Sequence, residues 1–220
     1  MNYFCVFDFE TDHSDPHLCN PVQVACMMID PYNLEILDNS RFCSDMKPDN
    51  IDDPEYLTDG RSKTIEWHAK KDKCSKEDIL AKWRDSPPTK IVWNNFVQHI
   101  NKYNPKKSQW NAPYPCGMNI NNFDMIILKT LNERYNINKL FNYETFDLRE
   151  RLFTSLIWDT SLRSRSMDNI RKHFGMSSEN AHDALQDVKD TAKIIQRFLK
   201  HDKNLFDRTQ YKGCMESVEI

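Results

Sequence analysis

An α/β fold, with a mixed central sheet that opens on three antiparallel strands and is flanked by helices, is predicted by three features of this sequence. The run Tyr3, Phe4, Cys5, Val6, Phe7 is aromatic, β-branched or apolar throughout, which reads as a strand buried on both faces in mid-sheet. Two more strand-forming segments follow directly, residues 22–29 and about 34–43, with turns at Pro21 and from Asp30 to Tyr32. Helical periodicity then dominates, broken by short apolar segments of strand length.

The remaining elements follow in order. Residues 47–59 are acidic, contain Pro48 and Pro54, and read as a connection; helices are expected at 64–71, 76–85 and 91–103, interrupted by Pro87 and Pro88. Residues 112–118 form a short strand ended by Gly117, after which Asn122 or Asp124 opens a helix carrying Ile126, Ile127, Leu128 and Leu131. Residues 143–147 suit another strand, 148–158 a helix, and 166–174 a short helix stopped by Gly175. Asp183 with Gln186 three places on makes a capping box in its Asp variant. Leu185, Val188, Ala192, Ile195 and Leu199 continue an amphipathic helix to about residue 200. The expectation is one domain over 1–205, with a helical insertion at about 47–105 and a tail at 206–220.

Composition narrows the class. The chain has 220 residues, 39% hydrophobic, with no apolar run near the ~18 residues of a membrane span. Its N-terminus lacks a basic region and a sustained apolar core, so no signal peptide is expected. Seven cysteines without a CxxC pair predict reduced thiols and a cytoplasmic setting. Four glycines form no phosphate-cradling pattern, which argues against a nucleotide-driven motor or a dinucleotide enzyme. A formal net charge of −3 gives no general basic field, so attraction to nucleic acid has to be local.

The chemistry concentrates in three places. Side chains alternate across a strand, so Asp8 and Glu10 share a face while Phe9 takes the other. Two anions so close raise one another's pKa unless a cation lies between them, and hard divalent ions prefer oxygen ligands of this kind. The plainer reading is polar termination of a strand in solvent. Asp124 lies near a strand-to-helix junction, where open α/β sheets place their ligands, although helix-start aspartates are common. His182 and Asp187 converge on one site only if His182 precedes the first helical turn, where the capping reading puts it. A histidine beside a helix start is otherwise an ordinary surface residue.

FDFET, NNFD and HDALQD, in that order, resemble the three motifs of the DEDDh branch of the DnaQ-like 3′-to-5′ exonucleases, which have a ribonuclease H-like fold. GMNINNFD is also similar to the proofreading motif of family B DNA polymerases. More narrowly, TIEWHAKK (residues 64–71), the GM…FD segment and FDLRERL (146–152) resemble the exonuclease A (DexA) type of T-even bacteriophages. The resemblance implies a site of Asp8, Glu10, Asp124, His182 and Asp187, the four carboxylates holding two Mg²⁺ ions about 4 Å apart, with Mn²⁺ able to substitute. It implies that His182 is the general base, that Thr11 lies beside the terminal nucleotide, and that nucleoside 5′-monophosphates are released from a free 3′ end.

Other features carry weaker signals. His13, Asp15, His17 and Cys19 alternate but lack a structural-zinc spacing and read as a polar turn. Trp67 suits either a base-stacking platform or a core position beside Ile65. Arg163, Arg165, Arg171 and Lys172 are candidates to meet phosphates, the plainer reading being a solvated charged face. The leading reading is a free-standing exonuclease on single-stranded DNA. The alternatives are an exoribonuclease, an inactive nucleic-acid-binding relative, and a proofreading subunit needing a polymerase partner. No membrane and no obligate protein partner is expected.

Overall fold

The computed structural model describes residues 1–57, 60–162, 164–177 and 183–209. Five strands form one sheet in the order β3-β2-β1-β4-β5: β1 (Phe4–Thr11), β2 (Pro21–Ile29), β3 (Ile36–Asp45), β4 (Tyr114–Gly117) and β5 (Phe146–Asp147). The first three pair antiparallel, as expected, while β4 and β5 run parallel to β1. The helices are α1 (Arg61–Asp72), α2 (Lys76–Asp85), α3 (Thr89–Asn101), α4 (Asp124–Arg134), α5 (Leu148–Ser155), α6 (Met167–His173) and α7 (Ala184–Thr209).

Alternation along β1 divides the core. Phe7 and Phe9 join Trp93, Phe96 and Ile100 of α3 and Ile127, Leu128 and Leu131 of α4 on one face. Phe7 stacks on Phe141, ring centroids 5.2 Å apart. Val6 points the other way, against Leu152 of α5, Ile170 of α6 and Val188, Ala192 and Ile195 of α7. Of the segment read as an insertion, α3 therefore belongs to the sheet's own core. Only α1 and α2 stand apart, around Ile65, Ala69, Ile79 and Trp83 with Val22, Ile51 and Tyr56.

Boundaries differ from the sequence reading where local pattern is silent. The expected strand at 143–147 shrinks to two residues, because only Phe146 and Asp147 find a partner in β4. The helix expected over 148–158 stops at Ser155. Helix α7 runs past residue 200, supported by Arg151 pairing with Asp202 and Lys200 with Glu35. The tail from residue 210 lies outside the described residues. All six cysteines among the described residues are free thiols.

One fully buried carboxylate ties the α1–α2 unit to the sheet. Asp12, just after β1, accepts from Asn20 N (2.7 Å), Asn20 Nδ2 (2.8 Å), the Tyr56 hydroxyl (2.7 Å) and Arg61 Nε (3.0 Å). Removing one partner of a buried ion pair leaves the other charge uncompensated. Arg61→Met should therefore lower stability by about 3–5 kcal/mol in urea denaturation, and a loss below about 1 kcal/mol would show the pair to be dispensable.

Candidate active site

Strand β4 leaves β1 early, pairing with it only from Phe4 to Val6. At Gly117, which closes β4, a Cβ atom would come within 3.1 Å of both the Phe7 carbonyl oxygen and the Ile120 side chain, so the residue has to be small. Beyond that point β1 projects past its neighbour, and the Phe9 backbone N–H, left without a strand partner on that side, donates to Asp124 Oδ1 at 3.0 Å. Asp124 opens α4, as the sequence predicts, and is buried.

The projecting end of β1 carries Asp8 and Glu10 toward α7. Asp183 accepts from Gln186 N at 3.1 Å, so it caps the helix as expected. The reciprocal half of the box is absent: Gln186 Nε2 donates instead to Asp190, at 2.9 Å. Gln23, the β2 neighbour of Glu10, accepts from Ala184 N at 3.1 Å and fixes the start of α7 against the sheet. Asp187 in the first turn then meets β1, and carboxylate oxygens of Asp8, Glu10 and Asp187 lie within 4.8 Å of one another. Among the described residues this is the one group of His, Cys, Asp and Glu side chains that converges so closely. His182 lies outside the described residues.

Burial and mutual repulsion govern the protonation of this cluster. Burial, reinforced by Asp124, Glu10 and Asp187, pushes Asp8 well above the ordinary carboxylate range. Burial lifts Glu10 to about 8 against the opposing pull of Lys71, whose Nζ is 3.9 Å from Oε1. Burial likewise lifts Asp124 to about 7, although the Phe9 N–H favours its ionised form.

Arg171, one of the candidates to meet phosphates, is instead committed to carboxylates of the chain itself. Its side chain on α6 is fully buried, with Nη2 on Asp187 (2.6 Å), Nε on Asp190 (2.9 Å) and Nη1 on Asp168 (3.4 Å). It holds Asp187 in place from behind instead of facing a ligand. Thr11 is buried, its hydroxyl donating to His13 O at 2.9 Å. His13, Asp15, His17 and Cys19 do form a polar turn, with Asp15 N donating to His13 Nδ1 and His17 N to Asp15 Oδ1.

Trp67 is 41% exposed while Ile65 is buried, so the core reading does not hold. Its neighbour His68 is the residue that sequence reasoning missed: buried, it bonds the Thr11 carbonyl oxygen through Nε2 at 3.0 Å. The signal was available in TIEWH, where helical spacing sets Ile65, His68 and Ala69 on one face. Beside Glu10 opens a cleft of about 440 Å³, walled by Gln23, His68, Lys71, Lys82, Gln186 and Lys189.

No protein-family model matches the chain, and no curated protein matches it in sequence. Solved structures do match. Cell-death related nuclease 4 (CRN-4) superposes with a TM-score of 0.63 at 15% identity, over 91% of this chain and 64% of that one. Exonuclease I of E. coli in complex with a dT13 oligonucleotide gives 0.66 at 18% identity, over 100% of this chain and 47% of that one. The zinc-bound form of the same enzyme with single-stranded DNA gives 0.64 at 18%, over 100% and 46%. This chain thus spans under half of the exonuclease I chains and under two thirds of CRN-4. At such identities the likeness establishes the architecture alone: an open five-stranded mixed sheet with flanking helices, the ribonuclease H-like fold.

Proposed function

We propose that this chain is a divalent-metal-dependent 3′-to-5′ exonuclease that removes nucleoside 5′-monophosphates from single-stranded DNA. The observation that carries the reading is the convergence of Asp8, Glu10 and Asp187 within 4.8 Å, with Asp124 bound to the same strand. Three carboxylates with raised or crowded charge make an oxygen donor set suited to a hard cation, and Mg²⁺ is our assignment, with Mn²⁺ able to replace it. Bound there, two such ions supply neutralisation of the scissile phosphate and increased acidity of the attacking water.

The protein's own groups have distinct tasks in this scheme. Asp8 would be shared by both ions, Glu10 and Asp187 would help to hold the one on the nucleophile side, and Asp124 would help to hold the other. Arg171 fixes the Asp187 carboxylate, and Lys71 offsets Glu10. His182 takes the proton from the attacking water, a role assigned from its place in HDALQD. Thr11 sits at the terminal nucleotide, and the exposed Trp67 ring stacks on a base above the cleft. DNA is favoured as substrate because two of the similar structures are exonuclease I complexes with single-stranded DNA. Within the group, TIEWHAKK and FDLRERL ally the chain with the DexA type, whose phage-encoded members would work in the host cytoplasm.

Purified protein should shorten 5′-labelled single strands stepwise in Mg²⁺ or Mn²⁺ and stop in EDTA. Asp8→Ala and Asp187→Ala should each lose more than the about 10–100-fold that removal of a residue merely orienting a metal ligand costs; full activity in either variant would sink the mechanism. Matched DNA and RNA strands in the same gel assay decide the sugar.

Trp67→Ala should raise KM for a single strand by about 5–150-fold, the equivalent of the about 1–3 kcal/mol given by one stacked base, with a smaller change in kcat. A KM within twofold of the parent's would remove Trp67 from the substrate path.

Stability should answer to pH and metal together. A carboxyl whose folded pKa exceeds its unfolded value favours the folded state while protonated. That advantage is lost as pH climbs from about 4 toward the folded values, about 7 for Asp124 and about 8 for Glu10. In EDTA the melting temperature should therefore fall between pH 5.5 and 8.5, by about 4 °C or more. Mg²⁺ or Mn²⁺ should raise it more at pH 8.5 than at 5.5; a metal effect of equal size at both would contradict the coupling.

A further inference from the structure

A second cleft, of about 650 Å³, opens at the same end of the sheet but on the opposite side of β1 from the cleft beside Glu10. The cleft beside Glu10 borders β2 and β3, whereas this one is bounded by the segment after β4, the end of β5 and helix α5. Asn119 and Asn122, which line it, belong to the segment that leads into Asp124. We propose that this cleft holds the body of a single-stranded nucleic acid upstream of the scissile phosphate, a base stacking on Phe153 and phosphates meeting Arg149 and Arg165. The assignment rests on the exonuclease reading for its direction, not for its chemistry.

Phe153 is 50% exposed, and the Arg165 guanidinium lies over its ring at 4.9 Å. Arg165 Nε is buried without a hydrogen-bond partner, and a desolvated guanidinium N–H lacking an acceptor is costly unless a ligand supplies one. Among the described residues neither Arg149 nor Arg165 has a carboxylate partner; Arg149 Nη1 donates to the neutral Asn119 Oδ1 at 3.3 Å. The two carboxylates in the cleft do not take up this charge. Asp147 accepts from the backbone N–H groups of Asn119, Asn121 and Arg149, and Glu150 from Asn121 Nδ2. An exposed ring beside two guanidinium groups whose charge no carboxylate neutralises is the combination that binds single strands with little regard to sequence.

Anisotropy of fluorescein-labelled DNA and RNA 12-mers in EDTA reads the cleft whether or not the strand is cut. Phe153→Ala and Arg165→Gln should each weaken binding of one or both 12-mers about fivefold or more, with Phe153→Trp restoring it. In Mg²⁺ or Mn²⁺, KM for the 12-mer should rise about fivefold more than KM for a dinucleotide. Unchanged 12-mer binding in both variants, or an equal KM penalty at both lengths, overturns the assignment. A parent protein that binds the 12-mer but cuts neither substrate would defeat the exonuclease reading, and the anisotropy arm would still decide the cleft.

Discussion

Negative charge at the end of the central strand is the constraint to which the surrounding structure answers. Asp8, Glu10, Asp124 and Asp187 meet where β1 outruns β4, and Asp12 is buried one turn of chain further on. Four of the five are compensated by different devices: a backbone N–H for Asp124, the Arg171 guanidinium for Asp187, the Lys71 ammonium for Glu10, and Arg61 with Tyr56 for Asp12. Asp8 has the least help; its pKa is correspondingly raised by burial and by three neighbouring carboxylates. Crowded carboxylate oxygens of this kind are the donor set that hard divalent ions prefer.

The devices come from separate parts of the chain, and this makes the site a product of the whole fold. Gln23 on β2 receives the first N–H of α7, Arg171 on α6 braces Asp187, and Asp147 at the end of β5 gathers the segment ahead of Asp124 through two backbone N–H groups. Such braces cost conformational freedom in the folded state and restrict how far a carboxylate can stray when a ligand binds.

Much of this was legible in the sequence because the signals were local. Alternation placed Asp8 and Glu10 on one face, Asp183 announced the start of α7, and the apolar spacing after Asp124 announced α4. The misreadings came from partners distant in the chain. Arg171 looked like a surface cation because Asp187 and Asp190 lie more than a dozen residues away, and Trp67 could be separated from Ile65 only once Trp83 and Val22 were seen to fill the core beneath α1. His68 escaped notice because its partner is a backbone carbonyl, which no residue pattern reveals. The length of β5 was likewise a matter of what β4 offers for pairing.

The separate core beneath α1 and α2 has an evolutionary consequence. Its buried apolar residues are drawn from the unit itself and from Val22, Ile51 and Tyr56, with none of the aromatic side chains that fill the space under β1. Substitutions on its outer surface, Trp67 and Lys70 included, can accumulate without repacking the scaffold. On the exonuclease reading, the polymer end accepted can thereby change while the carboxylate cluster stays, as a tool keeps its handle while the bit is exchanged.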